Sequence, residues 1–203
     1  MTRIVIRAAL LALIFLPAVA QAQPHLQLLG GATEAAGRHP FFGAAVGLRL
    51  GPVELDIEGG RFHDILPEGV AEAINDLQED RGLPVQAIAS VPAFYALGSL
   101  RLIPGIGPVR PFLSVGAGAA RVEPRLDVSV EGISFGDVFG LTSFGAYTVP
   151  MVAGGAGLRI DGGRVHVEGG YRYVAIISDF ETLNLNTVHV RVNQIYGAVG
   201  VGF

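Results

Sequence analysis

Ile195-Tyr196-Gly197-Ala198-Val199-Gly200-Val201-Gly202-Phe203 closes the chain and sets how the rest is read. Its residues fall into two alternating sets. Ile195, Val199, Val201 and Phe203 share one face with Gly197, and Tyr196, Ala198, Gly200 and Gly202 share the other. Successive side chains of a strand point to opposite sides of its sheet. A strand that is apolar on one side and mostly small on the other, ending on a bare aromatic, suits a sheet closed on itself. Its apolar side would meet lipid and its small side a narrow interior.

The opening residues give the chain an address. Arg3 and Arg7 form a basic start, Ala8 to Leu16 an apolar core, and Pro17 a break before Ala20-Gln21-Ala22. That is the layout of a cleavable export signal. A transmembrane anchor is the weaker alternative there, because a spanning helix needs about 20 apolar residues. The expected organisation is a signal peptide at 1–22 and one domain at 23–203.

Composition narrows the class. There is no cysteine, so an exported domain must be held by something other than disulfides, and a closed hydrogen-bonded barrel is sufficient. All 14 basic residues are arginine. Without Arg3 and Arg7 there remain 12 against 18 acidic residues, a formal charge of −6. Nucleic acid is excluded as a partner, since it calls for a basic surface. After residue 22 no apolar stretch is long enough for a helical span.

Period-two alternation recurs about eight times. Leu26 to Thr33 begins it. In Phe41 to Leu50, residues Phe42, Ala44, Val46, Leu48 and Leu50 oppose Gly43, Ala45, Gly47 and Arg49. Val53 to Gly60 alternates most strictly: Val53, Leu55 and Ile57 against Glu54, Asp56 and Glu58. Val91 to Ile103, Val109 to Arg121, Ala146 to Ile160, Arg164 to Val174 and the terminal strand complete the set. Gly51-Pro52, Pro104 to Pro108 and Asp161-Gly162-Gly163 read as short turns. Arg61 to Ser90 and Val122 to Gly145 read as long loops, with Ala35 to Pro40 and Ala175 to Asn186 as the other connections at that end. Glu68 to Arg81 has the spacing of a surface helix. Val188, Val190 and Val192 have the opposite parity to Ile195, Val199 and Val201, which calls for a β-bulge near Asn193-Gln194 or a terminal strand that begins later.

Two stretches carry a family resemblance. Val109-Arg110-Pro111-Phe112-Leu113-Ser114-Val115-Gly116-Ala117-Gly118 and Val165-His166-Val167-Glu168-Gly169-Gly170-Tyr171-Arg172-Tyr173 resemble strands of the small eight-stranded outer-membrane β-barrel family. That group includes the OmpA transmembrane domain and the opacity-type surface proteins. The resemblance covers nearly all of 23–203. It implies an eight-stranded antiparallel up-and-down transmembrane barrel, with both chain ends periplasmic. Tyr196, Ala198, Val201 and Phe203 resemble the terminal signal read by the barrel assembly machinery, with Ala198 where that signal usually carries Gly. Outer-membrane lipid, lipopolysaccharide and the assembly machinery are the implied partners, around a monomer.

Alternation puts a set of charges on the inner side: Arg49, Glu54, Asp56, Glu58, Arg101, Arg159, His166, Glu168 and Arg172. An unpaired charge facing lipid is costly, so these belong in the lumen. Arg49 and Glu54 flank the Gly51-Pro52 turn and are expected to meet. Arg101 is expected near Glu54 or Asp56. The interior of an eight-stranded barrel is only wide enough for side chains to fill it. The set is therefore read as a packed network that closes the lumen, in preference to a selectivity filter. His166 with Glu168 has no matching second histidine in this reading; His25, His39, His63 and His189 are scattered. No metal site, cofactor or catalytic set is expected. Asp64, Asp76, Glu79 and Asp80 read as a solvated acidic loop. The expected role is structural or surface interaction through long extracellular loops. A narrow channel is the alternative, with an outer-membrane enzyme or a secreted ligand-binding barrel behind it.

Overall fold

The computed structural model describes residues 22–34, 37–66, 85–130, 133–134, 145–178 and 188–203. Residues 1–21 of the expected signal peptide (1–22) and the expected surface helix (Glu68 to Arg81) lie outside the described residues. Strands are β1 (Gln23–Glu34), β2 (Arg38–Leu50), β3 (Val53–Phe62), β4 (Val85–Ser90), β5 (Ala93–Leu102), β6 (Val109–Val122), β7 (Arg125–Val130), β8 (Ile133–Ser134), β9 (Tyr147–Gly162), β10 (Val165–Ser178) and β11 (Val188–Gly202). Eight of them close an antiparallel barrel in the order β1-β11-β10-β9-β6-β5-β3-β2.

The register fixes the barrel's shape. From Pro24 the paired residues run through Leu48, Leu55, Leu100, Val115, Gly154, Tyr173 and Asn193, and return to β1 at Glu34. Closure therefore shifts the sheet from position 24 to position 34. Eight strands with that offset tilt by about 40° and enclose a radius of about 8 Å.

Glycine makes the short turns possible. Gly51 and Gly163 hold φ of 63° and 78° in the β2–β3 and β9–β10 turns, a region only glycine enters without strain. These turns, the β5–β6 turn, Gln23 and Phe203 share one rim. The β1–β2 connection and the three longer ones share the other. Leu28, Phe42, Ile57, Leu113 and Val115 stand outward, each at least 60% exposed.

One expectation is corrected. The terminal strand carries no bulge: its pairing with β10 runs unbroken from Val165↔Val201 to Ser178↔Val188. Val190 and Val192 therefore face inward, and Val192 is fully buried. The interior is not polar throughout. Phe41, Phe62, Ile65, Val149, Val174 and Ile176 also fill its loop-side half, because packed apolar side chains close a narrow lumen as well as charged ones do.

Parts of two of the segments expected as long loops form strands. β4 and β7 continue the β5–β6 hairpin in the same register past the rim, from Ser90↔Arg125 to Val85↔Val130. The Glu123 N–H donates to the Pro92 carbonyl (3.0 Å) between the two parts. β8 pairs on the far side of β7.

Candidate functional site

The charged half of the lumen lies toward the short-turn rim and is built in tiers. At the mouth, Asp161 gathers three arginines. Arg110 Nε donates to Asp161 Oδ2 (2.9 Å), and Arg159 Nε and Arg49 Nη1 lie 3.3 and 3.7 Å from Asp161 Oδ1. Sequence reading placed Asp161 in a turn, whereas β9 continues through it and turns it inward. Arg49 and Glu54 do occupy opposed positions across the hairpin. The Arg49 side chain, however, reaches Asp161 and the Gly51 carbonyl (3.3 Å) instead.

The middle tier is fully enclosed. Glu54 and Arg159 are 0% and 2% exposed. Arg159 Nη1 donates to Glu54 Oε2 (2.6 Å) and lies 3.4 Å from Glu168 Oε1. Arg101 Nη1 donates to Glu168 Oε2 (2.7 Å), and its Nε lies 3.2 Å from Asp56 Oδ2. Gln27 Nε2 also donates to Glu168 Oε2 (2.8 Å). The chain of contacts therefore crosses the lumen from β3 to β5, β9, β10 and β1.

Histidine enters this tier from two strands. His25 Nε2 lies 2.9 Å from Asp56 Oδ1 and 3.5 Å from Glu54 Oε1. Its ring meets that of His166 edge-on at 5.8 Å. The expectation that His166 has no companion is thus corrected. Reading the first strand from Leu26 left out His25, although His25 and Gln27 share the alternation that turns Leu29 inward. His25, Glu54 and Asp56 bring donor atoms within 4.8 Å of one another, as a cation site would require. Arg101 and Arg159 already sit on the other oxygens of those carboxylates. The arrangement therefore reads first as a charge-compensated network.

The third tier joins the charged and apolar halves. Arg172 Nη1 and Nη2 donate to the two oxygens of Glu58 (2.7 and 2.8 Å), and Arg172 Nε donates to Gln194 Oε1 (2.6 Å). The Tyr95 hydroxyl donates to Glu58 Oε1 (2.5 Å). Above it Tyr95 stacks on Phe62 at 4.5 Å, while Arg172 lies 5.5 Å over Tyr196. Five acids (Glu54, Asp56, Glu58, Asp161, Glu168) thus face five arginines (Arg49, Arg101, Arg110, Arg159, Arg172). Asp161 and Arg110 join the eight acids and arginines that alternation placed on the inner side.

Glycine makes room for these side chains. A methyl group on Gly47 would lie 2.0 Å from Asp56 Oδ1 and 2.5 Å from His25 Cε1, and one on Gly200 would lie 2.2 Å from the His166 ring. The open space left at the mouth, lined by His25, Arg49, Arg159, Asp161 and His166, is about 40 Å³. That is room for one or a few waters.

Of the proposed assembly-signal residues, Tyr196 and Ala198 face the lumen and Val201 and Phe203 the exterior. Asp64 is not solvated: it is 8% exposed, and its Oδ1 accepts from the Leu66 and Val91 N–H groups (2.9 and 2.8 Å). This clasp holds Ile65 in the top of the lumen, with Ile65 N–H donating to the Val91 carbonyl (3.0 Å). Asp76, Glu79 and Asp80 lie outside the described residues.

No protein-family model matches the sequence, and no curated protein does. Solved structures do match. Neisserial surface protein A aligns with a TM-score of 0.57 at 14% identity, over 90% of this chain and 97% of its own. A major outer membrane protein from Thermus thermophilus aligns with a TM-score of 0.56 at 9% identity, over 89% and 99%. The chain has the fold of the small eight-stranded outer-membrane β-barrels.

Proposed function

We propose that this chain is an integral, non-conducting β-barrel of the bacterial outer membrane. Its role is structural or surface interaction through the hairpin and loops above one rim, with the short turns and both chain ends periplasmic. The observation that carries this reading is the unbroken run of buried ion pairs across the lumen, from Asp161 through Arg159, Glu54, Arg101 and Glu168. An apolar plug lies above it. The barrel's exterior supports the membrane address. Soluble monomers rarely expose contiguous apolar patches beyond a few hundred Å², and here the apolar face runs around the sheet. Among the described residues nothing in the lumen combines a nucleophile, a base and an open space for substrate, so we propose no enzymatic activity.

The test combines planar bilayers with urea unfolding of the parent and Arg101→Ala. A closed lumen gives silent bilayers, and a variant weakened by about 3–5 kcal/mol, because Glu168 and Asp56 lose a buried partner. Steady single-channel currents in the parent, altered by the substitution without loss of stability, would instead favour a narrow channel. Recovery of the protein in a soluble periplasmic fraction would overturn the membrane address.

A further inference from the structure

Among the described residues beyond 22 the arginines are segregated, apart from Arg164 in the β9–β10 turn at the opposite rim. The five named above face the lumen, and Arg38, Arg61, Arg121 and Arg191 face outward on β2, β3, β6 and β11. Arg125 follows just past the rim. Along a tilted strand, residues differ in height by about 2.5 Å, and each paired row climbs about 3 Å per strand. On that scale the four outward arginines fall within about 7 Å of one another in height. They stand at the loop-side edge of an outward apolar band about 25 Å tall, the thickness expected of a barrel in an outer membrane. Its opposite edge is marked by Val109, Val165 and Phe203.

On one side of the barrel this collar has a regular build. Phe42, Arg61, Phe94 and Arg121 pair in succession across β2, β3, β5 and β6. The Arg61 guanidinium lies 5.1 Å over the Phe94 ring. The next outward row toward the short turns is Ala44, Gly59, Ala96 and Ala119, again directly paired. Small side chains under large ones leave a shallow trough below the arginines. Glu34 pairs with Arg38 (3.1 Å), and Glu123 with Arg121 and Arg125 (3.7 and 3.6 Å). Among the described residues, five arginines against these two glutamates leave the collar at +3.

We infer that this collar binds the phosphorylated glycolipid of the outer leaflet, a lipid A headgroup. Its phosphates meet Arg61 and Arg121, its sugar lies against Phe94, and its acyl chains lie along the Ala44–Ala119 row. Guanidinium groups bind phosphate in bidentate geometry. Two of them on either side of an aromatic suit a headgroup that carries two phosphates on a sugar better than one with a single phosphate. The inference rests on the membrane reading above, including its orientation with the loop-side rim outward.

The test is native mass spectrometry of the full chain in non-ionic detergent, titrated with diphosphoryl lipid A or with phosphatidylglycerol. Parent, Arg61→Gln, Arg121→Gln, the double variant and Arg164→Gln at the opposite rim are compared. Heat-dependent gel mobility establishes that each sample is folded. The expected result is retention of lipid A by the parent. Affinity should weaken about fivefold for each single variant and about thirtyfold for the double, with Arg164→Gln unchanged. A folded double variant that holds lipid A as the parent does overturns the collar, and so does equal affinity for phosphatidylglycerol. Either result would leave the membrane reading standing, whereas a chain that stays folded and soluble without detergent overturns both.

Discussion

Arg172 grips Glu58 with both terminal nitrogens across the lumen, from β10 to β3, at 2.7 and 2.8 Å. Its Nε is used on Gln194, so the guanidinium is held along its whole edge. Such a fork ties opposite walls of the barrel and sits where charged and apolar halves meet. Arg172→Ala should destabilise by about 3–5 kcal/mol, because it leaves Glu58 buried with only the Tyr95 hydroxyl. Arg172→Lys should recover part of this but not the two-point grip. Urea unfolding in lipid vesicles of both variants and of Glu58→Gln, treated as a double-mutant cycle, measures the coupling.

Gly47 sits directly between His25 and Asp56 in the paired rows. Gly47→Ala has no free volume: its methyl would meet Asp56, His25 and the Leu55 carbonyl at 2.0, 2.5 and 2.7 Å. The expected loss is about 1–3 kcal/mol from overpacking. Gly169, on the outer face with nothing within 4 Å of its missing side chain, is the control, and Gly169→Ala should unfold with the parent's midpoint.

Asp64→Ala tests the clasp at the loop rim. The carboxylate satisfies two backbone donors at once, so its loss should expose the Leu66 and Val91 amides. Hydrogen exchange should show these two amides opening more easily by about 1–3 kcal/mol while the barrel strands keep their protection. Equal loss of protection throughout the strands would contradict a local role.

Phe203 is 76% exposed, and the seam is closed by its backbone N–H donating to the Pro24 carbonyl (2.9 Å). Phe203→Ala removes only the outward ring. It should slow insertion in growing cells while the refolded variant keeps nearly the parent's stability in urea. Normal membrane levels during growth would contradict a role in assembly. Ala198→Gly should leave assembly unchanged or improve it.

Most of the barrel is legible because period two is a strong constraint wherever one face must meet lipid. Leu55 and Ile57 against Glu54 and Asp56 admit only one orientation in a membrane. The same rule misled at Val190 and Val192. It assigns apolar residues to the lipid side, and the loop-side half of this lumen is filled with apolar side chains. Asp161 was hidden because Asp-Gly-Gly is also good turn chemistry. Gln27 and Gln194 carry no charge, and nothing in their neighbours announces that they complete a buried network. The hairpin beyond the rim was missed for a different reason. Past the membrane there is no lipid to enforce alternation, so Val85 to Ser90 show no such pattern.

The fixed shift of the closing sheet has a further consequence for how such a chain can change over generations. Strand number and offset determine the bore, so the side chains inside must share a constant volume. The paired rows show how it is shared. Phe112 stands opposite Gly157, His166 opposite Gly200, and Gly47 has His25 on one side and Asp56 on the other. Bulk at one lumen position is answered by its absence on the neighbouring strand. Drift in this interior should therefore run in exchanges, where a residue grows only as its lateral neighbour shrinks. Homologous barrels should record that as correlated substitutions between adjacent strands.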